Sequence, residues 1–284
     1  MTASKRDPAA DPATDRARLV GAAYKTPGPL LARAALYAYE RNPLDLTSWV
    51  LERVEVEHPI SEQSRVVDVG CGPGWYLAEL RRRHPMVATV GFDLSPGMAA
   101  ATLATGAPAG VADAMQLPVR DASVDVAIAA HMLYHVPDIA RAAAELARIV
   151  GPGGIVAIVT NGREHLAELD EVASDAVVAI GGSPWKAPGR SAARFLLDDA
   201  AALVAPALAV VALDRASREI VVPDPAPIVA YVDSEESLFA PALPNGATWT
   251  DVLHEVETRV AAIVERSGAF VVHSDVGVLL CRAR

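Results

Sequence analysis

An aspartate and three glycines lie close together in the segment Val66–Tyr76, which reads VVDVGCGPGWY. Strand-like residues run into a loop with Gly70, Gly72 and Gly74, and a leucine-bearing helical stretch follows. Glycine lets the backbone turn sharply and lets a ligand approach without a Cβ in the way. The N-terminus of the next helix directs free N–H groups at that ligand. The segment therefore predicts the strand, tight turn and helix that open a ligand-binding βαβ unit.

The position of Asp68 distinguishes between the ligands that such a loop could hold. Dinucleotide-binding loops use similar glycine spacing, and a glycine-rich connection that binds nothing is the other alternative. A carboxylate two residues before the first glycine can reach a cationic amine or an ordered water, but it is badly placed beside a pyrophosphate. The run Asp68–Gly74 resembles the first motif of class I S-adenosylmethionine-dependent methyltransferases, of the type 11 or ubiquinone-biosynthesis-methyltransferase kind.

Two further aspartates extend this resemblance over about residues 66–159. Asp93 lies about twenty residues beyond the glycines, at the end of a predicted strand, where an acidic residue accepts hydrogen bonds from ribose hydroxyls. Asp113 matches the family's acid that accepts from the adenine amine. The resemblance implies contacts with S-adenosylmethionine, or its product S-adenosylhomocysteine, at Asp68, Gly70, Cys71, Gly72, Gly74, Trp75, Asp93, Leu94, Ser95, Met98, Asp113, Ala114, Met115, Ala130 and His131.

Two histidines follow the fourth predicted strand and are candidates for proton transfer. His131 comes directly after the strand, and a histidine is neutral much of the time at pH 7, as a base must be. The alternative is that His131 packs on the cofactor. His135 is four residues on and is expected to share a helical face with it. We predict no metal site, because no third ligand stands at a suitable spacing.

A second candidate base lies far along the chain, after Tyr231. Glu235 and Glu236 are adjacent, which is more typical of a solvated face. If Glu235 is buried its pKa rises, and together with Tyr24 it could hold an N–H group of an acceptor. The predicted catalytic residues are therefore His131, Tyr24 and Glu235. Tyr37 and Tyr39 could also line the pocket, and the predicted substrate contacts are Tyr24, Tyr134, His135, Trp185, Tyr231 and Glu236.

Composition limits the classes of partner. The 284 residues are 52% hydrophobic and carry a net charge of −10, which opposes binding to nucleic acid. No apolar run is long enough to span a bilayer, and the N-terminus lacks a signal-peptide core, so no membrane partner is expected. Cys71 and Cys281 do not suggest a disulfide framework, which favours a cytoplasmic location. We expect a monomer or a homodimer.

The elements predict an α/β fold, since strands alternate with amphipathic helices. The resemblance implies a Rossmann-like, seven-stranded, mostly parallel sheet sandwiched by helices, with an N-terminal helical lid and inserted cap segments. We predict a disordered tail over 1–18, the lid over 19–60, and a methyltransferase domain over 61–284 with substrate-side segments near 161–194 and 219–266. Residues 208–213 and 219–222 are predicted as two separate extended pieces.

The sequence thus predicts methyl transfer from S-adenosylmethionine to a small-molecule acceptor. The variable segments resemble those of enzymes that act on specialised metabolites, so an aromatic or heterocyclic acceptor is expected. The target atom could be oxygen, nitrogen or carbon, including an indole carbon. Two alternatives remain: a catalytically silent module that binds S-adenosylmethionine, and a tRNA or rRNA methyltransferase.

Overall fold

The computed structural model describes residues 13–184, 194–239, 243–244 and 246–284. Within these ranges the chain forms a seven-stranded sheet. The strands are β1 (Arg65–Val69), β2 (Ala88–Asp93), β3 (Ala109–Val111), β4 (Val124–Ala130), β5 (Val150–Asn161), β6 (Leu208–Val222) and β7 (Phe270–Ala283). Their order is β3-β2-β1-β4-β5-β7-β6, and the first five are parallel. The predicted α/β, mostly parallel sheet is confirmed.

Helices cover both faces of this sheet. The α-helices are α1 (Arg16–Arg18), α2 (Gly28–Ala35), α3 (Leu46–Glu57), α4 (Trp75–Arg83), α5 (Pro96–Ala104), α6 (Ile139–Ile149), α7 (Ala167–Ala179), α8 (Leu197–Val204), α9 (Pro225–Asp233), α10 (Glu236–Phe239) and α11 (Trp249–Ser267). Short π or 3₁₀ turns occupy Leu19–Ala23, Leu36–Tyr39 and Leu133–His135.

The central strands are apolar along nearly their whole length because both of their faces are buried. One face packs on α6 and α8, and the other packs on α3 and α4. Ile128 and Ile158, from β4 and β5, are fully buried. Parallel strands covered on both sides read as continuous hydrophobic runs, which is why the sequence located them.

Strand β6 corrects the prediction of two separate extended pieces. It runs unbroken from Leu208 to Val222 and pairs antiparallel with β7, with one register shift near Val210. Its middle is polar, so it lacks the apolar pattern that marks a strand. The backbone ladder with β7 holds it, helped by Arg215, whose guanidinium pairs with the Asp275 carboxylate. An edge strand with one neighbour can keep polar side chains in solvent.

Helix α7 begins at Ala167, and a turn separates it from the end of β5. Residues 162–165 form a turn in which the His165 N–H donates to the Gly162 carbonyl. Leu166 then takes a left-handed backbone conformation, with φ of 56°, which no residue inside an α-helix can have. This turn carries His165 into the interior, where it is 7% exposed.

The N-terminal part of the chain packs more closely than predicted. Residues 1–12 lie outside the described ranges, but Ala13 and Thr14 are buried and Asp15 caps α1. The predicted tail boundary at residue 18 is therefore wrong for residues 13–18. Tertiary packing orders residues 13–18, and their polar sequence carries no signal of that packing. Across the described part of the chain, no helix is both long and apolar enough to cross a membrane.

Candidate active site

The strand order reverses between β1 and β4, and a cavity of about 730 Å³ opens beyond their carboxyl ends. Open α/β sheets place ligands at this reversal point. The glycine loop follows β1, and His131 follows β4, so both meet at the cavity. Parallel strands with right-handed crossovers bring these two loops together from positions about sixty residues apart.

The glycine loop needs its glycines for two different reasons. Gly70, Gly72 and Gly74 all have positive φ, at 72°, 53° and 87°. A Cβ on Gly70 would lie 2.7 Å from the Met132 Cβ, so that glycine is fixed by packing. A Cβ on Gly72 would meet only the tip of Leu30, at 3.7 Å, and Gly72 lines the cavity. The loop therefore leaves its backbone accessible to a ligand at Gly72.

Asp93 ties the end of β2 to this loop. Its Oδ2 accepts from the Gly72 N–H at 2.9 Å and its Oδ1 accepts from the Ser95 N–H at 2.8 Å. Burial raises the pKa of Asp93, and these two hydrogen bonds oppose the rise. Asp113 also lines the cavity, with its Oδ1 accepting from the Met115 N–H. Two predicted cofactor acids therefore face one space.

Asp68 is the least satisfied polar group near the loop. It is 1% exposed, and neither carboxylate oxygen has a hydrogen-bond partner among the described residues. Burial, with a smaller contribution from Asp93, raises the pKa of Asp68 to about 8. The buried Tyr76 hydroxyl also lacks a partner within the described ranges. Asp68 lies behind the loop and does not line the cavity wall itself.

The segment before α2 closes over the cavity. The Ser95 Oγ donates to the Tyr24 carbonyl at 2.7 Å. A Cβ on Gly97 would lie 2.0 Å from the Lys25 carbonyl oxygen, so glycine is needed for this close approach. Ser95 and Gly97 belong to the start of α5, and these contacts hold residues 13–39 against the site. We call residues 13–39 the N-terminal cover.

Tyr24 and His135 join the cover to the loop after β4. The Tyr24 hydroxyl lies 2.7 Å from His135 Nε2, and His135 Nδ1 lies 2.9 Å from the Ala13 carbonyl. A carbonyl only accepts, so Nδ1 carries the hydrogen, and in a neutral ring Nε2 must accept from Tyr24. Burial raises the pKa of Tyr24, while Arg33, 5.6 Å from the ring centroid, lowers it. Tyr24 is therefore a neutral phenol that donates to His135.

His131 lines the cavity but is a poor proton acceptor. Burial lowers its pKa to about 4, so it is neutral at pH 7 and holds a proton weakly. Its backbone has φ of 53°, and its N–H donates to the Val159 carbonyl. The expectation that His131 and His135 share a helical face is wrong, because the left-handed residue breaks the turn and only Leu133–His135 is helical.

Most of the predicted site residues meet in this cavity. Lining it are Tyr24, Gly70, Cys71, Gly72, Trp75, Asp93, Leu94, Ser95, Met98, Asp113, Ala114, Met115, Ala130, His131, Tyr134, His135, Tyr231 and Glu235. Gly74 instead caps α4, and Glu236 and Tyr39 are exposed and away from the wall. Trp185 lies outside the described residues. Their roles in binding and catalysis stay predictions.

Several polar residues of the wall were missed from the sequence. They are Arg33, Glu40, Asn161, His165 and Arg218. Arg33, Tyr37 and Glu40 stand at i, i+4 and i+7, so their spacing could have placed them on one helical face. Asn161 ends β5, and the carboxyl ends of the parallel strands meet at the cavity, so its position could have been found in the same way as that of Asp93. His165 and Arg218 carry no local signal, because arginine or histidine in a polar stretch ordinarily faces solvent. In the described ranges, no group of three metal-ligating side chains is close enough to hold an ion.

Comparisons with known proteins show the family to which this chain is related. Residues 67–158 match the family model described as "Methyltransferase domain". The trans-aconitate 2-methyltransferase of Methylobacterium radiotolerans is 32% identical over 219 residues, which cover 76% of this chain and 70% of that protein. The malonyl-[acyl-carrier protein] O-methyltransferase of Hahella chejuensis is 34% identical over 110 residues. That match covers 37% of this chain and only 39% of the relative's length.

Solved structures support the fold alone, because their identities are low. The [4+2]-cyclase SpnF superposes with a TM-score of 0.56 at 17% identity, covering 94% of this chain and 95% of that chain. A methyltransferase-like protein of Bacillus halodurans gives 0.54 at 14% identity, covering 84% and 99%. The extent of the match to the Methylobacterium relative, together with the glycine loop, Asp93 and the sheet order, establishes the family. This chain belongs to the class I S-adenosylmethionine-dependent methyltransferases.

Proposed function

We propose that this chain transfers a methyl group from S-adenosylmethionine to a small, uncharged aromatic or heterocyclic acceptor enclosed in the cavity. The observation that carries the proposal is that the residues of both parts of such a site line one cavity. The glycine loop and Asp93 line it together with the Tyr24–His135 pair and an aromatic wall that includes Tyr37, Tyr134 and Tyr231. Its volume is within the range of roughly 300–1,000 Å³ usual for small-molecule sites.

The residues around the glycine loop fit the cofactor. The backbone at Gly72 leaves room for a ligand, and the unpartnered Asp68 carboxyl is a buried group that a cationic amine in the cavity would satisfy through an ordered water. Asp93 would hold the ribose hydroxyls and Asp113 the adenine amine. When bound, S-adenosylmethionine supplies a methyl group already activated by the sulfonium. The protein then has to orient the acceptor and take up its proton.

The Tyr24–His135 pair provides a path for that proton. Its geometry supports transfer of an acceptor N–H or O–H proton to the Tyr24 oxygen while the Tyr24 proton moves to His135 Nε2. The Ala13 carbonyl keeps the Nδ1–H in place, so the imidazolium formed is held by a hydrogen bond. Glu235 also lines the cavity, and its charge acts on Tyr24, so it is the alternative terminal acceptor. His131 is better suited to shaping the wall, given its lowered pKa.

The charges of the lining favour an uncharged acceptor. The charged side chains comprise three arginines and five carboxylates: Arg16, Arg33, Arg218, Glu40, Asp93, Asp113, Asp170 and Glu235. Such an excess of carboxylates suits a cationic cofactor and opposes a second anion. Relatives named for trans-aconitate and malonyl-[acyl-carrier protein] suggest a carboxylate acceptor as the competing class. Nucleic acid is disfavoured further by the net charge of −10.

Two measurements on the full chain test the proposal. Calorimetry with S-adenosylhomocysteine should give saturable binding, and no binding at millimolar ligand would refute the cofactor assignment. A screen of aromatic, heterocyclic and carboxylate compounds with S-adenosylmethionine should then yield a mass gain of one methylene on an uncharged member. Cofactor binding without any methylated product would instead favour the silent binding module. Tight, salt-sensitive binding of tRNA would favour the nucleic-acid alternative.

We expect Asp93→Ala to weaken S-adenosylhomocysteine binding by about 1–3 kcal/mol, because ribose hydroxyls and the Gly72 N–H lose their acceptor. Calorimetry measures the change directly. Asp121→Ala, at an exposed carboxylate 78% accessible to solvent, is the control and should bind normally. Affinity unchanged in Asp93→Ala would refute the ribose role.

We expect Asp68→Asn to change how stability depends on pH. The pKa of Asp68 in the folded protein is about 8, above the ordinary value near 3.9, so the folded state binds the extra proton between these values. The free energy of unfolding of the cofactor-free protein therefore falls as pH rises from about 4 to 8. An uncharged amide at this position does not titrate, so it removes this fall in the free energy of unfolding.

The melting temperature of Asp68→Asn, measured relative to that of wild type, should accordingly increase as pH rises from 5 to 8. Exposed Asp175→Asn, 69% accessible, should not show this gain. The same substitution should weaken cofactor binding, because the amide carries no charge to pair with an amine. Parallel pH profiles for wild type and Asp68→Asn would contradict the assignment of a protonated Asp68.

A further inference from the structure

A second polar cluster lies in the wall of the cavity, apart from the Tyr24–His135 pair. The Tyr37 hydroxyl lies 3.1 Å from His165 Nε2, and the two rings are stacked with centroids 6.4 Å apart. On the other side of the imidazole, the Asp275 backbone N–H donates to His165 Nδ1 at 2.9 Å. Tyr37 lines the cavity.

These contacts fix the direction of the Tyr37 hydroxyl. Because His165 Nδ1 accepts from a backbone N–H, it carries no hydrogen, and the neutral ring has its hydrogen on Nε2. The Nε2–H then donates to the Tyr37 oxygen, so the Tyr37 hydrogen is left to point elsewhere. Among the described residues, the Tyr37 hydroxyl makes no hydrogen bond other than that to His165. The Tyr24–His135 pair is the reverse case, in which the histidine accepts.

Asn161 provides the complementary group. Its Oδ1 is buried and has no hydrogen-bond partner among the described residues, and the residue lines the same cavity. The Asp275 backbone connects the segment after Asn161 with the Tyr37–His165 pair. Its carbonyl accepts from the Gly162 N–H, and its N–H donates to His165. A hydrogen-bond donor and a hydrogen-bond acceptor thus remain open in one part of the wall.

The nearby charges of Arg218 and Glu40 pair with each other, although Arg218 Nε and Glu40 Oε1 have no hydrogen-bond partner among the described residues. Arg218 Nη1 donates to Glu40 Oε2 at 3.2 Å and its Nη2 donates to Ser274 Oγ at 3.3 Å. The Arg218 and Glu40 side chains are nearly buried, with 11% and 2% of their surfaces exposed. A carboxylate placed here would compete with Glu40 for Arg218 and leave a buried charge unpaired, which is costly. A neutral group avoids this cost.

We propose that this part of the cavity binds a neutral carboxamide group of the acceptor, with its carbonyl accepting from Tyr37 and its N–H donating to Asn161 Oδ1. The inference rests on the proposed function, and it names the polar group that the acceptor carries. A carboxamide offers an acceptor and a donor side by side without charge, which is what the two open groups require. Tyr37 and Asn161 then act as specificity-determining residues and take no proton from the reacting atom.

The test compares indole-3-acetamide with its near-isostere indole-3-acetate, each titrated by calorimetry into the full chain saturated with S-adenosylhomocysteine. We expect the amide to bind at least about tenfold more tightly than the acetate. Tyr37→Phe should weaken amide binding about tenfold and leave S-adenosylhomocysteine affinity unchanged, which also shows that the variant is folded. Tyr39→Phe, in the same 3₁₀ turn but exposed and away from the cavity, should bind as wild type.

Each remaining outcome overturns a defined part. If the cofactor product binds but the acetate binds as tightly as the amide, or neither probe binds, the carboxamide assignment is wrong while the proposed function stands. If Tyr37→Phe leaves amide binding unchanged, the Tyr37 hydroxyl does not bind the amide. If S-adenosylhomocysteine itself fails to bind wild type, the proposed function fails and this inference with it.

Discussion

Tyr24→Phe should reduce methyl transfer by about 100-fold or more while leaving S-adenosylhomocysteine affinity within about twofold. The substitution removes the hydroxyl that lies 2.7 Å from His135 Nε2 and so interrupts the proposed proton path. The Tyr24 backbone carbonyl still accepts from Ser95, so the N-terminal cover keeps its attachment to α5. The loss should therefore appear in turnover and not in binding of the cofactor.

The measurement is single-turnover transfer to an acceptor identified by the screen, with calorimetry on the same preparations. Tyr39→Phe is the matched control, because it removes an exposed hydroxyl of the same cover. His135→Gln should fall in the same range as Tyr24→Phe, and the double variant should lose little more, since the two groups act as one unit. Turnover near wild type in Tyr24→Phe would leave Glu235 as the base to be tested.

Gly97→Ala should open the N-terminal cover and lower turnover by at least about tenfold. The new Cβ would lie 2.0 Å from the Lys25 carbonyl oxygen, which belongs to the backbone and cannot rotate away. Alanine is otherwise the better residue inside a helix such as α5, so loss of helix stability cannot account for the effect. Displacing the cover moves Tyr24 away from His135, and displacements of about 1 Å can cost 10²-fold in rate.

Limited trypsin digestion reports the state of the cover separately from catalysis. Cleavage after Arg16, Arg18 or Lys25 should be faster in Gly97→Ala than in wild type, with the core fragment unchanged. Gly21→Ala is the matched control, because it lies in the cover and an added Cβ there meets no atom within 4 Å. Wild-type protection and turnover in Gly97→Ala would show that the chain accommodates the contact without moving the cover.

Local sequence was sufficient to locate the glycine loop and Asp93, which form the proposed cofactor half of the site. Gly70, Gly72 and Gly74 alternate in one short loop after a strand, and all three have positive φ, so the local sequence already indicates the sharp turn that they make. Asp93 could be placed because the carboxyl ends of parallel strands meet at one edge of the sheet. The apolar runs of β4 and β5 marked the buried centre of the sheet for the same reason, since both faces of these strands are covered.

The polar pairs of the proposed acceptor half of the site depend on tertiary packing. Tyr24 and His135 are 111 residues apart, and Tyr37 and His165 are 128 apart, so nothing in either local stretch reveals the pairing. The sequence favoured His131 as the base, yet burial lowers its pKa, and the hydrogen bond from Tyr24 goes to His135 instead.

The sequence by itself therefore determined the fold, the family and the glycine loop at the edge of the cavity, because these follow from short-range periodicity and backbone requirements. Only the tertiary structure decided which polar side chains share the cavity and which nitrogen of each histidine carries its hydrogen. Arg218 and Glu40 show why: each is an ordinary surface residue in sequence and a buried, paired charge in the fold. Burial and distant partners set the chemistry of such groups, and both arise from packing between segments far apart in the chain.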